Sequence, residues 1–140
     1  MAKSKYDKLI THDLFWKSAE NPNLSVSGTR HLGNKWGGGH MSMDTNYVTR
    51  AHVMISQPHV HEFPQYLNFY SANPRDAYDF DAEVEVTIDG EKHVITQPSS
   101  IYIPAGTPHG PVVFARINKP LLFIDLAIGE NYSRVGNTPD

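Results

Sequence analysis

Alternation of apolar and polar positions dominates the middle of this chain. Val84, Val86 and Ile88 alternate with Glu83, Glu85 and Thr87, and Asp89-Gly90 follows before EKHVIT resumes the pattern. A period of two puts successive side chains on opposite faces of an extended strand, and Asp-Gly is a favoured two-residue hairpin turn. The spacing therefore predicts a hairpin over 82–96. Further runs rich in β-branched and aromatic residues predict strands: NYVTRAHVMIS at 46–56, ending at Pro58, QYLNFYS at 65–71, SSIYIPAG at 99–106 and VVFARI at 112–117. PLLFIDLAI at 120–128 is apolar throughout, which predicts a strand buried on both faces. Between the second run and the hairpin, ANPRDAYDFD is a long polar loop, the kind of segment that is often functional or mobile.

The amino-terminal part reads differently. Tyr6, Leu9, Ile10, Leu14 and Phe15 fall at loosely helical spacing and predict a short helix. Turn formers follow, closing with Gly37-Gly38-Gly39. Residues 1–40 are predicted to be an arm or cover, too short to bury a core of their own, ahead of a barrel at 41–130 and a tail at 131–140. Short strands at close spacing with no helical pattern between them define an all-β sandwich or barrel.

Composition narrows the chemistry. The 140 residues are 39% hydrophobic and 19% charged, within the globular range, with no apolar run long enough to span a membrane or form a signal peptide. A net charge of −3 without a basic stripe argues against nucleic acid as a partner. Cysteine is absent, so disulfides and thiolate metal sites are excluded and any metal must be held by nitrogen and oxygen. A cytoplasmic location fits this composition. No GxSxG elbow is present, and GNKWGGGH lacks the ending of a phosphate loop.

Two histidine patterns stand out. His59 and His61 lie two apart in QPHVHEFPQY, and on an extended segment they share a face with backbones ~6.6 Å apart along the strand. Alone, such a pair is more often exposed or hydrogen-bonded than functional. Later, Pro104 and Gly106 mark a corner after an apolar strand, and His109 follows Pro108 into the next. A rigid corner aims one side chain at a defined point. The two patterns together point to three imidazoles around one cation, whereas His12, His31, His40, His52 and His93 have no partner at a meaningful spacing.

Together these motifs resemble those of the cupin superfamily, small antiparallel barrels of jelly-roll (double-stranded β-helix) type. That family's first motif runs G-x5-HxH-x3,4-E-x6-G and its second G-x5-PxG-x2-H-x3-N. His59-Val60-His61 and Pro104-Ala105-Gly106-Thr107-Pro108-His109 match their cores, and the resemblance spans 45–128. Val53, Ala72, Pro98 and Val113 depart from the pattern, and Gln65 stands where the family usually has a glutamate ligand.

The resemblance implies one divalent transition metal ion, iron, manganese, nickel, zinc or copper, held by His59, His61, His109 and Gln65, with Glu83 the alternative fourth ligand. A neutral ligand set leaves a dication its full charge, a harsher Lewis acid favouring an anionic or oxygen-bearing ligand. Tyr66, Phe69, Tyr102 and Phe114 are candidates for the pocket wall, and Arg50 or Arg116 for a substrate carboxylate. The expected function is a metal-dependent enzyme of dioxygenase, isomerase or lyase type on a small metabolite. The alternatives are a non-catalytic protein that binds or senses a sugar or small acid, and a barrel whose site has decayed. A homodimer is expected from PLLFIDLAI and the aromatic arm.

Overall fold

A computed structural model describes residues 4–13, 36–129 and, by backbone alone, 29–32. Nine strands run through them: β1 Thr29–Leu32, β2 Ser42–Val48, β3 His52–Ile55, β4 Gln65–Ser71, β5 Ala82–Ile88, β6 Glu91–Ile95, β7 Ser99–Ile103, β8 His109–Ile117 and β9 Leu121–Ala127. They form a five-stranded sheet in the order β1-β2-β9-β4-β7 and a four-stranded sheet in the order β3-β8-β5-β6. All pairings are antiparallel.

The pairs β2–β9, β3–β8, β4–β7 and β5–β6 nest one inside the next. The chain is thus one long hairpin, with its tip at the β5–β6 turn, rolled so that β4 also meets β9 and β5 meets β8. That is a jelly roll. The tip is the predicted Asp-Gly turn, with Asp89 at φ 48° and Gly90 at φ 81°. Both values lie in the left-handed region that a two-residue hairpin turn of this hand requires.

The core lies between the sheets. Leu67 and Phe69 of β4, Leu121 and Phe123 of β9, Val84 and Val86 of β5, and Val112 and Phe114 of β8 are all buried. Phe69, Phe114 and Phe123 pack on one another with ring centroids 5.1–6.2 Å apart. Burying a ring of this size contributes about 1.5–3 kcal/mol.

Several predicted elements differ from the structure. In place of the short helix there is a single 3-10 turn, Asp7–Leu9, and Leu14 and Phe15 lie outside the described residues. Tyr6, Leu9 and Ile10 are 57%, 56% and 63% exposed, so no tertiary surface supports a helix too short to stand alone. The run at 46–56 is two strands in different sheets, broken at Thr49–Ala51, where His52 Nδ1 bonds the carbonyl of Arg50 at 2.9 Å. Strand propensity does not register such a corner. The loop at 72–81 is tied internally, with Ser71 Oγ donating to Asp79 O at 2.7 Å and Asn73 Nδ2 to Asp79 Oδ2 at 2.8 Å. Among the described residues no helix is long and apolar enough to cross a membrane.

Candidate metal centre

His59 and His61 lie where the chain crosses from β3 in one sheet to β4 in the other. This stretch is not a strand, as the sequence suggested, but a crossing pinned at two points. His59 N donates to His109 O at 2.9 Å and His109 N to His59 O at 3.0 Å, a single β-bridge. Gly106 N donates to His61 O at 2.9 Å. The HxH segment therefore lies directly on the β7–β8 corner. The corner itself closes through Thr107 N donating to Pro104 O, with Gly106 at φ 81°, a backbone conformation suited to glycine.

A bulge aims the third histidine. Along β5 and β8, Val84 pairs with Phe114 and Val86 with Val112, but Ile88 pairs with His109. One extra residue of β8 lies between the last two pairs. Strict alternation back from the inward-facing Phe114 and Val112 would turn His109 outward. The bulge reverses that parity and sets it on the inner face beside Ile88. Gly110 occupies the bulge at φ 104°, and a Cβ there would stand 2.8 Å from Gln57 O. Only glycine fits.

The three imidazoles converge. His59, His61 and His109 are 7%, 2% and 3% exposed, and their ligand atoms lie within 4.8 Å of one another. Ring centroids are 4.8 Å apart for His59–His61, 4.3 Å for His59–His109 and 5.3 Å for His61–His109. His109 Nδ1 bonds the carbonyl of Thr107 at 3.0 Å, which puts the proton on Nδ1 and the lone pair on Nε2. Phe63 stacks on His61 at 4.7 Å and 17°. The ring of Phe63 is itself held against Gly129, where an added Cβ would come within 3.0 Å of it. Three buried nitrogen donors at this separation suit a divalent transition metal, to which imidazole is well matched.

Gln65 opens β4 on the same inner face as Leu67 and Phe69 and is 1% exposed. Its Cα partners are Ile103 and Ala127, so it stands at the histidine end of the barrel. Its Nε2 donates to Asp125 Oδ1 at 3.0 Å. Asp125 shares the inner face of β9 with Phe123 and Ala127, and its Cα partner on β2 is Asp44, between the buried Ser42 and Asn46. Asp125 thus meets Gln65, and Asp44 lies opposite Asp125 on the neighbouring strand.

Other candidates lie elsewhere. Glu83 alternates with the buried Ala82 and Val84 and pairs with Arg116, seven residues along β8 from His109. Arg116 itself bonds Asp81 at 2.6 Å on the surface. Arg50 is exposed in the β2–β3 turn, beyond the Val48–Leu121 end of the sheet and opposite to the histidines. Tyr66 and Tyr102 pair at 5.0 Å on the outside of the five-stranded sheet, and Phe69 and Phe114 belong to the core. The aromatic ring at the site is Phe63. It had no signal beyond its spacing of two from His61, and Asp44 and Asp125 became visible only through strand register.

No family model matches the sequence, and no curated protein matches it. Solved structures match by fold. The chain is similar to an oxalate oxidase in complex with the substrate analogue glycolate, with TM-score 0.60 and 18% identity over 96% of this chain and 66% of that one. It is similar to the polyketide cyclase RemF from Streptomyces resistomycificus, with TM-score 0.55 and 16% identity over 97% of this chain and 82% of that one. It is also similar to KdgF from Halomonas sp., with TM-score 0.50 and 20% identity over 86% of this chain and 91% of that one. This chain spans slightly less than two thirds of the oxalate oxidase, 66%. At 16–20% identity the likeness is one of fold, and it is the fold the two histidine motifs implied, a jelly-roll barrel of cupin type.

Proposed function

We propose that the chain holds one divalent transition metal ion through His59, His61 and His109, with Gln65 as fourth ligand, and acts as an enzyme on a small oxygen-bearing metabolite. The observation that carries this is the convergence of three buried imidazoles whose ligand atoms lie within 4.8 Å of one another. Burying three imidazoles side by side is a placement that a shared cation would use.

Bound there, the ion supplies Lewis acidity toward a substrate oxygen and, for a redox-active metal, electron transfer. The chain's own residues prepare the site. Thr107 O fixes the tautomer of His109, and Phe63 holds the plane of His61 and keeps water from that side. Asp125, hydrogen-bonded to Gln65 behind a neutral ligand set, is the carboxyl group placed to offset part of a dication's charge. A small carboxylate or enolisable carbonyl suits such a centre, and the similar oxalate oxidase was solved with glycolate. A non-catalytic binding protein would use the same site, and turnover separates the two. The three rings meeting around one point favours an intact site over a decayed one.

Elemental analysis of purified protein tests the metal, with His59→Ala and His109→Ala as controls. Near-stoichiometric metal lost in both variants is expected, and metal retained in both would overturn the proposal. Incubating the loaded protein with glycolate, oxalate and related small acids, with and without dioxygen, then distinguishes conversion from binding alone.

The assembly is inferred to be a homodimer. Met43, Leu126, Tyr66 and Tyr102 form one row of Cα partners on the outside of the five-stranded sheet, an apolar stripe suited to a second copy. A monomeric mass by light scattering at micromolar concentration would contradict this.

A further inference from the structure

The motif that this chain resembles has a carboxylate at position 65, and here an amide stands in its place. The side chain it meets is Asp125, sixty residues on, whose Oδ1 accepts from Gln65 Nε2 at 3.0 Å. An ionised carboxylate only accepts hydrogen bonds, while an amide donates at nitrogen and accepts at oxygen. Asp125 therefore fixes which way the amide lies. With the nitrogen directed to Asp125 on β9, the carbonyl oxygen is the end whose chemistry suits a cation. An amide nitrogen carries no lone pair suited to a metal, so a flipped Gln65 would contribute nothing.

The same contact disfavours an ionised glutamate at position 65. A carboxylate at position 65 would set a second anionic oxygen where Nε2 now lies, 3.0 Å from Asp125 Oδ1. At that distance in a buried site like charges repel strongly. Asp44, the Cα partner of Asp125, adds a further carboxyl group on the neighbouring strand.

We propose that Gln65 and Asp125 act as a matched pair replacing the single carboxylate ligand of the motif: Gln65 supplies the oxygen and Asp125, as a positioning residue, supplies its orientation and the displaced negative charge. This rests on the metal assignment above. It adds that the charge has moved one residue back from the ion, and that positions 65 and 125 are energetically coupled.

Metal affinity, measured by competition with a chromophoric chelator, and the visible spectrum of the cobalt(II)-loaded protein provide the test. Asp125→Ala is expected to weaken cobalt binding about 10-fold or more and to change the spectrum as Gln65→Ala does. Asp125→Ala in the Gln65→Ala background should produce little further loss. Gln65→Glu alone should bind poorly, and Gln65→Glu with Asp125→Asn, which reverses the pair, should recover affinity. Wild-type affinity and spectrum in Asp125→Ala, or equal affinity in Gln65→Glu with and without Asp125→Asn, would overturn the inference. Failure of the underlying assignment shows separately, as no cobalt uptake by the wild-type protein or uptake that survives His59→Ala and His109→Ala.

Discussion

His59 and His109 face each other across a single β-bridge, exchanging both backbone hydrogen bonds at 2.9 and 3.0 Å. The backbone of one histidine thereby places the ring of the other. Because the bridge is made by main chain alone, replacing one of these imidazoles with alanine should leave the bridge and the fold in place.

A bound ion should stabilise the barrel by mass action. At a free metal concentration of 100 times Kd the gain is about 2.7 kcal/mol, or roughly 10 °C in Tm for a domain of this size. Thermal melts with and without chelator should show this shift in the wild-type protein. His61→Ala should melt cooperatively and show none. A chelator-insensitive wild-type melt would speak against a resident ion.

Gly110→Ala attacks the bulge. Its φ of 104° is strained for any residue with a Cβ, and that Cβ would meet Gln57 O at 2.8 Å. Urea denaturation should show a loss of at least about 2 kcal/mol. The β3–β4 crossing would also be pushed from the β8 backbone, so metal affinity should fall with stability. Unchanged stability would mean the bulge tolerates a side chain.

Gly129→Ala tests the support behind His61. The new Cβ would lie 3.0 Å from three atoms of Phe63, whose ring must then shift by a few tenths of an ångström against the imidazole. A loss of about 1–2 kcal/mol is expected from overpacking. Phe63→Leu in the same background should relieve part of it, and failure of that relief would place the strain elsewhere.

The surface cluster at the far end of the barrel sets a pH dependence. Asp79 is held below its ordinary 3.8 chiefly by the hydrogen bond from Lys119 and next by that from Asn73. Asp81 is held below the same value chiefly by the Arg116 hydrogen bond. Lys119 is raised above 10.5 by its bond to Asp79. A lowered carboxyl contributes stability that is present above pH 3.8 and lost as pH falls through the folded value. The raised lysine contributes below pH 10.5, and that part is lost as pH climbs through its folded value. Denaturation between pH 2.5 and 6 should therefore show a smaller acid slope in Asp79→Asn with Asp81→Asn. Added salt should shrink the difference, because Lys119 and Asp81 are largely exposed and Asp79 partly so.

Local patterns carried much of this into the sequence. The Asp89-Gly90 hairpin, the strand at Gln65–Ser71, and the HxH and PxGxxH motifs each depend on residues a few positions apart, so periodicity and turn chemistry reveal them. What stayed hidden depends on register across strands. The corner at Thr49–Ala51 exists because β2 and β3 join different sheets, which propensity cannot indicate. His109 points inward only because one residue is inserted opposite β5, and Asp125 reaches Gln65 only because β9 lies beside β4. The helix expected near Leu9 failed for want of a surface to lie on.

The nested pairing also imposes an order in time. His59 and His61 are translated 50 and 48 positions before His109 (109 − 59 and 109 − 61), and Asp125 follows 16 later (125 − 109). At about 5–20 residues per second on the ribosome, the first two imidazoles wait roughly 2–10 s for the third. Two histidines on an unfinished chain grip any ion weakly. If the site takes a metal, its choice would thus fall to the closed barrel after synthesis rather than to whichever cation the nascent segment meets first.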